Sequence, residues 1–307
     1  MMRFIPNHKG SATLLTMLMA AVIITVGLGF NWLVKEHLKA AEALRKKTEA
    51  ILKARSSYDT IIYLILIGRM SPTEIRWSVS DEISRLKSLP LDGKKVFLSE
   101  DVFIQAKDSN GLISLVSYGS IPLERLIQKT EGNGSASGIV NSYLDWIDTD
   151  SLVRVNGAEV FYYQGEGLPY GPRNYALQYQ EEIQLIKGMN KELYRQIEPH
   201  LTLLPSVGFN PNTASDEVLM AYLNIDENTL KGLREYMSKK PLSSDMELFA
   251  LTGRKIATGE GTYFFPSPFI ELIVSVGEPK SLYQIKAGLD TRQNARFPYG
   301  ILYWREE

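Results

Sequence analysis

The sequence predicts an α+β protein with one very long N-terminal helix, an antiparallel sheet, and a large all-helical domain inserted into the sheet. Three observations predict this class. An uncharged run from Ser11 to Val34 continues directly into a stretch of strong helix formers. Partly alternating apolar runs, near residues 96–106 and again after residue 261, predict strands at both ends of the body. The segments between them have short helical periods with caps and stops.

The N-terminal segment is long and apolar enough to cross a membrane. As a helix, residues 11–34 would extend about 36 Å at ~1.5 Å per residue, against a hydrocarbon core of about 30 Å. A secretory signal peptide has a shorter apolar region that a small-residue cleavage site closes. Here the helical pattern continues to Gly68. We predict a transmembrane helix that runs on as an amphipathic one. For the leader, an uncleaved signal anchor is the alternative to a segment that is cut at Gly10.

Strands are predicted on both sides of the helical region. Val96, Leu98, Val102 and Ile104 partly alternate with polar residues, and "KDSNGL" predicts a hairpin turn at 110–111. The C-terminal runs "GTYFFPSPFIELIVSVG" and "KSLYQIKAGLDTRQNARFPYGILYWREE" are rich in aromatic and β-branched residues between turns. These segments predict one antiparallel sheet that a helical domain interrupts.

Composition excludes several classes of function. The net charge is −1, with 34 basic and 35 acidic residues, so no global basic field favours nucleic acid. Cysteine is absent, which excludes disulfides, thiol catalysis and cysteine-based metal sites. Of three histidines, only His200 falls in the body, so a Ser-His-Asp triad would have to be built around that residue. We predict a protein that is not an enzyme and has neither catalytic residues nor a catalytic cofactor.

The stretch "YLDWIDTDSLVRVNGAEVFYY" concentrates oxygen-bearing side chains at the end of a predicted helix. They belong to Asp145, Asp148, Asp150, Asn156 and Glu159. Oxygen donors packed this densely, without histidine or cysteine, suit a hard cation such as calcium better than zinc. The spacing is not that of an EF-hand loop. On spacing alone, a polar turn with helix-capping aspartates is favoured over a cation site.

Residues 210–236, "NPNTASDEVLMAYLNIDENTLKGLREY", resemble the helix-hairpin-helix modules of competence-type DNA-binding proteins. Those modules contact phosphates through a glycine-rich hairpin. Here the hairpin runs from Leu223 to Asp226 without a glycine, and an acid faces the phosphate position. Repulsion between the acid and a phosphate disfavours binding, so nucleic acid is not an expected partner. We predict a scaffold with Thr213 or Ser215 as the N-cap, and with three leucines, Leu219, Leu223 and Leu230, in the core.

The N-terminus also carries a family resemblance. A short basic leader ends in Lys9-Gly10, and a small residue and an apolar helix that continues into a soluble one follow it. This arrangement resembles a type IV prepilin or pseudopilin, which implies that prepilin peptidase cuts between Gly10 and Ser11 and methylates the new amine. Most members carry glutamate at the fifth mature position, where this chain has Leu15. The K-type minor pseudopilin of type II secretion is the member that lacks this acid.

A second motif is similar to the "DW-D-D…NGAE…YY" signature of the K-type pseudopilins, the general secretion pathway protein K family. It comprises residues 145–150, 156–159 and 162–163. The similarity continues in "GPRNYALQYQEEIQLIKGM" and "FNPNTAS", and extends from Gly10 to about Ser215. It implies calcium in the large globular region, with the five oxygen-bearing side chains named above as candidate ligands.

The pilin resemblance implies a domain organisation in which the long helix packs across one sheet face. We expect a leader at 1–10, a transmembrane helix at 11–34, and the amphipathic helix with the first half of a pilin-like sheet domain at 35–118. An inserted helical domain at 119–260 and C-terminal strands at 261–307 complete the chain.

The resemblance also implies a location and partners. It predicts a single-pass inner-membrane protein with a periplasmic body, at the tip of the type II secretion pseudopilus, where it meets the I-type and J-type minor pseudopilins. The positive-inside rule conflicts with this orientation, because basic residues after the apolar segment outnumber those before it. The alternative function is a type IV pilus or DNA-uptake minor pilin whose helix-hairpin-helix-like domain binds DNA.

Overall fold

The computed structural model describes residues 11–80, 84, 86–116, 120–131, 136–255, 261–277, 281–293 and 296–307. The predicted leader, including Gly10, lies outside the described residues. The chain divides into two compact units, Met1–Lys53 and Ala54–Glu307. One helix, α1 (Ser11–Ile67), begins in the first unit and ends in the second, and its 57 residues confirm the prediction of a very long helix.

The first half of α1 exposes its apolar side chains. Among the described residues, α1 is the helix long and apolar enough to cross a membrane, with a mean hydropathy of 2.2 over its most apolar window. Leu15 is 57% exposed and Phe30 is 67% exposed. Further along, ion pairs one helical turn apart connect Glu36 to Lys39 and Glu42 to Lys46, each at 2.9 Å. Such pairs stabilise the helix on a surface that water can reach.

Three short antiparallel strands follow the long helix and form a small sheet in the order β1-β2-β3. Their ranges are Arg69–Met70, Glu74–Arg76 and Ser88–Pro90.

The main sheet has five antiparallel strands in the order β10-β9-β8-β5-β4. Its strands are β4 (Val96–Ser99), β5 (Val102–Asp108), β8 (Phe269–Val276), β9 (Tyr283–Asp290) and β10 (Gly300–Glu306). β5 precedes the helical region and β8 follows it, and the two pair from Val102↔Val276 to Asp108↔Ile270. The predicted blocks of strands therefore join into one sheet, and the α+β class with a helical insert is confirmed.

Where the structure describes it, the insert has helices, a two-residue parallel pairing between β6 (Ile113–Ser114) and β7 (Leu201–Thr202), and an isolated parallel bridge between Phe209 and Thr262. Its first helices are α2 (Ser120–Glu131), α3 (Ala136–Ile147), α4 (Val160–Gly165) and α5 (Lys191–Ile197). The later ones are α6 (Asp216–Leu223), α7 (Glu227–Lys239) and α8 (Asp245–Thr252). A continuous core includes Ile127, Ile183, Val218 and Leu233, all fully buried.

The last turns of α1 bury one face in the second unit. Ala54, Tyr58, Ile61 and Leu64 follow each other at intervals of three or four residues, and each is at most 4% exposed. The Tyr58 ring meets the Trp304 ring of β10 edge to face, with centroids 4.8 Å apart. The apolar spacing thus brings the end of α1 against the C-terminal strand.

The predicted hairpin at 110–111 is wrong. Residues Ser109–Gly111 form a single 3-10 turn that Asp108 caps, and β5 makes its hairpin with β4 instead. Gly111 is packed against another segment, because a Cβ there would lie 2.6 Å from Thr213 Oγ1 and 2.9 Å from the Thr213 carbonyl oxygen. This glycine therefore permits the close approach of two backbones. In the sequence, an Asn-Gly dipeptide is compatible with either role, close packing or a hairpin turn.

Candidate functional site

The loop after α3 is wrapped around a buried carboxylate. Asp145, in the last turn of α3, has 0% exposure. It accepts hydrogen bonds from Arg154 Nη1 at 2.7 Å, from the Arg154 backbone N–H at 3.2 Å, and from the Ala158 N–H at 2.9 Å. Gly157 is required for this approach, since a Cβ there would lie 2.0 Å from Asp145 Oδ2. The loop conformation thus depends on one aspartate.

Three acidic side chains converge beside this loop, and we call them the acidic triad. Asp148, Asp150 and Glu159 each offer a carboxylate oxygen, and these oxygens lie within 4.8 Å of one another. Asp150 Oδ1 accepts from the Leu152 N–H at 2.8 Å. One oxygen of Asp148 pairs with the Arg154 guanidinium. The triad therefore contains more negative charge than this single arginine balances.

Two oxygens of the acidic triad are buried without a partner among the described residues. They are Asp148 Oδ1 and Glu159 Oε1, and Glu159 as a whole is 5% exposed. Burial raises the pKa of the Glu159 carboxyl, and the nearby charges of Asp145 and Asp148 raise it further. Unpaired buried acceptors destabilise a fold. A hard divalent cation would bind such oxygens and offset the repulsion, so the residues fit a calcium ion.

Two of the five predicted ligands, Asp145 and Asn156, lie outside the acidic triad. The Asp145 carboxylate is already engaged by the loop. Asn156 has left-handed backbone geometry, with φ of 60°, and its backbone carbonyl oxygen accepts from Lys187 Nζ at 3.3 Å. A ligand role for these two residues stays a prediction. Arg154 belongs to the site but was missed, although a lone base among aspartates was a readable signal.

The aromatic residues of the signature belong to the core beneath the site. The rings of Trp146 and Tyr163 meet edge to face at 5.4 Å, and Tyr163 is fully buried. Trp146 Nε1 donates to Glu182 Oε1 at 3.0 Å, and Arg173 pairs with the same carboxylate. Burial alone would raise the pKa of Glu182, but the hydrogen bonds from Arg173, Trp146 and the Gln178 N–H lower it below its ordinary value. The signature residues therefore belong partly to the acidic loop and partly to the packed core next to it, where Trp146 contacts the Arg173–Glu182 ion pair.

His200 lies beside a serine and an acid, but the serine has a structural role. Ser215 Oγ is 2.9 Å from His200 Nδ1, and Glu217 Oε2 is 3.8 Å from His200 Nε2. Ser215 is the N-cap of α6, where its oxygen accepts from the Val218 N–H at 3.3 Å. The predicted N-cap at 215 is confirmed, and this serine hydroxyl serves helix capping.

The predicted scaffold of the helix-hairpin-helix-like segment is confirmed, since Leu219, Leu223 and Leu230 are all buried. Asn224 takes the left-handed conformation, with φ of 51°, and ends α6. Asp226 caps the following helix by accepting from the Thr229 N–H at 2.8 Å. A carboxylate therefore already occupies the helix N-terminus where a phosphate would bind.

Together, the fold and the site define a class, a pilin-like α+β protein with a helical domain inserted in its sheet. Residues 112–206 match the family described as type II secretion system (T2SS), protein K. That range includes the acidic triad and its loop. Over this range, the match confirms the resemblance to K-type proteins that the motif at residues 145–163 predicted.

Curated relatives and a solved structure agree with this assignment. The chain is 28% identical over 137 residues to the type II secretion system protein K of Pectobacterium carotovorum, covering 42% of each chain. It is 31% identical over 120 residues to a putative protein K of Escherichia coli K12, covering 38% of this chain and 37% of that one. The matched stretches thus span less than half of these relatives.

The fold is similar to a chain in the crystal structure of the GspK-GspI-GspJ complex from enterotoxigenic Escherichia coli. The TM-score is 0.58 at 16% identity, and the superposition covers 89% of this chain and 99% of the other. The architecture is therefore shared well beyond the range in which the sequences align.

Proposed function

We propose that this chain is the K-type minor pseudopilin of a type II secretion system, which initiates or caps the pseudopilus and so supports export of folded proteins across the outer membrane. The observation that carries the proposal is one chain that joins a long, exposed apolar helix to the protein K region at 112–206. Its body lies in the periplasm, anchored by the single helix. Its partners are the I-type and J-type minor pseudopilins, the counterparts of GspI and GspJ in the similar solved complex.

The exposed side chains of α1 support assembly through helix packing. Leu38, Leu44 and Leu52 are 64%, 68% and 63% exposed on the amphipathic half. Apolar residues at roughly helical spacing gain stability when a second helix covers them. Neutral Leu15 cannot pair with the N-terminal amine of a neighbouring subunit, and a buried unpaired charge is unfavourable. A helical domain is also inserted between β5 and β8 of the sheet. Both features suit an end of the filament better than its interior.

Processing at the leader tests this proposal. In a host with prepilin peptidase, we expect the membrane-extracted chain to begin at N-methyl-Ser11, and a Gly10→Leu variant to keep residues 1–10. Intact mass and N-terminal sequencing measure both. Gly29→Ala is a matched control, because a Cβ at Gly29 meets nothing within 4 Å, and it should be processed normally. A wild-type chain that retains Met1 to Gly10 would contradict the proposal.

We further propose that the acidic triad binds calcium. The support is the pair of unpartnered buried oxygens, Asp148 Oδ1 and Glu159 Oε1, in two residues whose carboxylates converge with that of Asp150. The acidic triad offers oxygen ligands and no nitrogen or sulfur ligand. Hard oxygen ligands favour calcium over zinc. Asp150 and Glu159 lie at opposite ends of the loop that Asp145 organises. A bound ion would therefore join the two ends and stabilise the loop.

Calcium affinity should fall on acidification. The raised pKa of Glu159 means that this carboxyl gains a proton at a higher pH than an ordinary glutamate, and calcium must displace that proton. Isothermal titration calorimetry should therefore show weaker binding at about pH 5 than at about pH 7, with more protons released per ion at the lower value. Equal affinity and equal proton release at both values would argue against Glu159 as a ligand.

A further inference from the structure

The C-terminal strand, β10, is one of the two edge strands of the main sheet, and β4 is the other. β10 pairs with β9 on one side, and no described strand pairs with its other side. Gln284 and Glu307 exchange two backbone hydrogen bonds, of 2.9 and 3.0 Å, and the register continues through Arg305↔Lys286 to Tyr303↔Gly288. Antiparallel pairing alternates along a strand. The backbone N–H and C=O groups of Trp304 and Glu306 therefore point outward.

This open edge is long and partly apolar. β10 has seven residues, and the side chains of Ile301, Leu302 and Trp304 are 40–49% exposed. Its charged residues are already paired, Arg305 with Glu181 and Glu306 with Arg55 at 3.2 Å. Natural sheets normally shorten, charge or cover such an edge, because its free backbone groups can pair with another strand. An extended polypeptide backbone has the N–H and C=O groups that would pair with this edge.

A cleft lies on each side of the edge. The larger cleft, of about 970 Å³, lies on the same side of the sheet as the insert, and Trp146, Tyr179 and Tyr303 are among the residues that line it. The smaller, of about 420 Å³, lies by the end of α1 and includes Tyr58 and Ile301. Side chains of a strand alternate between two faces. A strand added to β10 would therefore find space and aromatic contact for both of its faces.

The basic residues that line the two clefts are already ion-paired. On the insert side, three basic residues, Arg173, Lys286 and Arg305, face two acidic ones, Glu181 and Glu182. By α1, Arg55 faces Asp59 and Glu306. Lys286 is paired as well, with the buried Glu271 at 3.2 Å. The aromatic side chains of the two clefts, and not their charges, are therefore what remains for a partner strand to contact.

We propose that the outer edge of β10 receives an extended segment of a partner minor pseudopilin, which adds a strand to the main sheet. The inference rests on the proposed function for the choice of partner and on the open edge for the mode of binding. Backbone hydrogen bonds at Trp304 and Glu306 supply the pairing, and the two clefts select the alternate side chains.

Residue-resolved hydrogen exchange tests this mode of binding. The full-length chain in detergent is compared alone and after co-expression with the full-length I-type and J-type pseudopilins of its own system. We expect exchange of the Trp304 and Glu306 amides to slow by about tenfold or more in the complex. The Tyr303 and Arg305 amides, already bonded to β9, should be protected in both samples.

A pair of variants at one position isolates the backbone contribution. Glu306→Pro removes an outward N–H without breaking a bond to β9, which a proline at an edge position allows. Glu306→Ala removes the same side chain and its pairing with Arg55 but keeps the N–H. We expect the proline variant alone to lower the affinity for the partners, by about tenfold, with both variants showing the same melting temperature.

The outcomes separate the two proposals. A complex that forms while the Trp304 and Glu306 amides still exchange fast would overturn strand addition and leave the proposed function intact. Absence of any complex with the I-type and J-type proteins would overturn both. Equal loss of affinity in the proline and alanine variants would assign the effect to the Glu306 side chain, against backbone pairing.

Discussion

Replacing Asp108 with alanine should destabilise the second unit by about 3–5 kcal/mol, the largest effect that we expect from one side chain. Asp108 ends β5 and is 1% exposed. One carboxylate oxygen accepts from the Asn110 N–H at 3.1 Å and from the Ser267 N–H at 2.8 Å. The other accepts from Asn210 Nδ2 at 3.0 Å and from Thr213 Oγ1 at 2.9 Å.

These four donors come from three distant parts of the chain. Asn110 lies at the start of the insert, Asn210 and Thr213 in the middle, and Ser267 immediately before β8. Burial raises the pKa of Asp108, while its donors favour the charged form. Alanine would leave three of the donors buried without an acceptor, while Thr213 Oγ1 would keep the Asn210 carbonyl oxygen at 3.5 Å. Each unsatisfied group carries a large desolvation penalty.

Thermal and urea unfolding of the full chain in detergent measure this loss, and Asp245→Ala is the matched control. Asp245 is exposed in the first turn of α8, so its removal should change stability by no more than about 1 kcal/mol. Asp108→Asn should fall between the two, because an amide still accepts at one oxygen. An Asp108→Ala variant as stable as the control would show that the junction does not depend on this carboxylate.

The second large effect should come from calcium at the acidic triad. With free calcium at about a hundred times its dissociation constant, the wild-type chain should gain about 2.7 kcal/mol of unfolding free energy. Glu159→Gln should lose most of this gain, because a neutral amide is a weaker ligand than a carboxylate. Melting temperatures measured with calcium and with chelator give both values.

The order of stability of the wild type and the Glu159→Gln variant should reverse between chelator and calcium. In chelator, Glu159→Gln should be at least as stable as wild type, since the substitution removes a buried charge that faces Asp148. In calcium, the wild type should be the more stable. Asp216→Asn, at an exposed position in α6 away from the triad, should leave the calcium response unchanged. A Glu159→Gln variant that responds like wild type would remove this residue from the site.

Much of the fold could be predicted because it depends on local properties. The length and hydropathy of residues 11–34 are properties of one segment, and so is the helical pattern that follows it. Alternation predicted strands in both β-rich blocks, and their common sheet follows from the antiparallel pairing of β5 with β8. The Asn110-Gly111 prediction failed because the same dipeptide also suits close packing, here against Thr213.

The candidate site was predicted only as a set of residue types. Five oxygen-bearing side chains near residue 150 pointed to a hard cation, but their spacing could not separate ligands from capping residues. Folding turns Asp145 inward, where Arg154 and the Ala158 N–H engage it. It also brings Glu159 back toward Asp148 and Asp150 across the loop. Side-chain direction in a loop depends on the backbone path.

The sequence by itself determined the long apolar helix, the helical insert between strands, and the resemblance to protein K, because each depends on residues that are close together along the chain. Only the tertiary structure decided which acids converge, where the insert is secured, and which strands lie at the edges of the main sheet. Asp108 holds segments that are more than a hundred residues apart, and the outer edge of β10 is defined by the absence of a described strand beside it. The physical reason is that local propensity acts within a few residues, whereas buried polar contacts and strand order depend on the packing of distant segments.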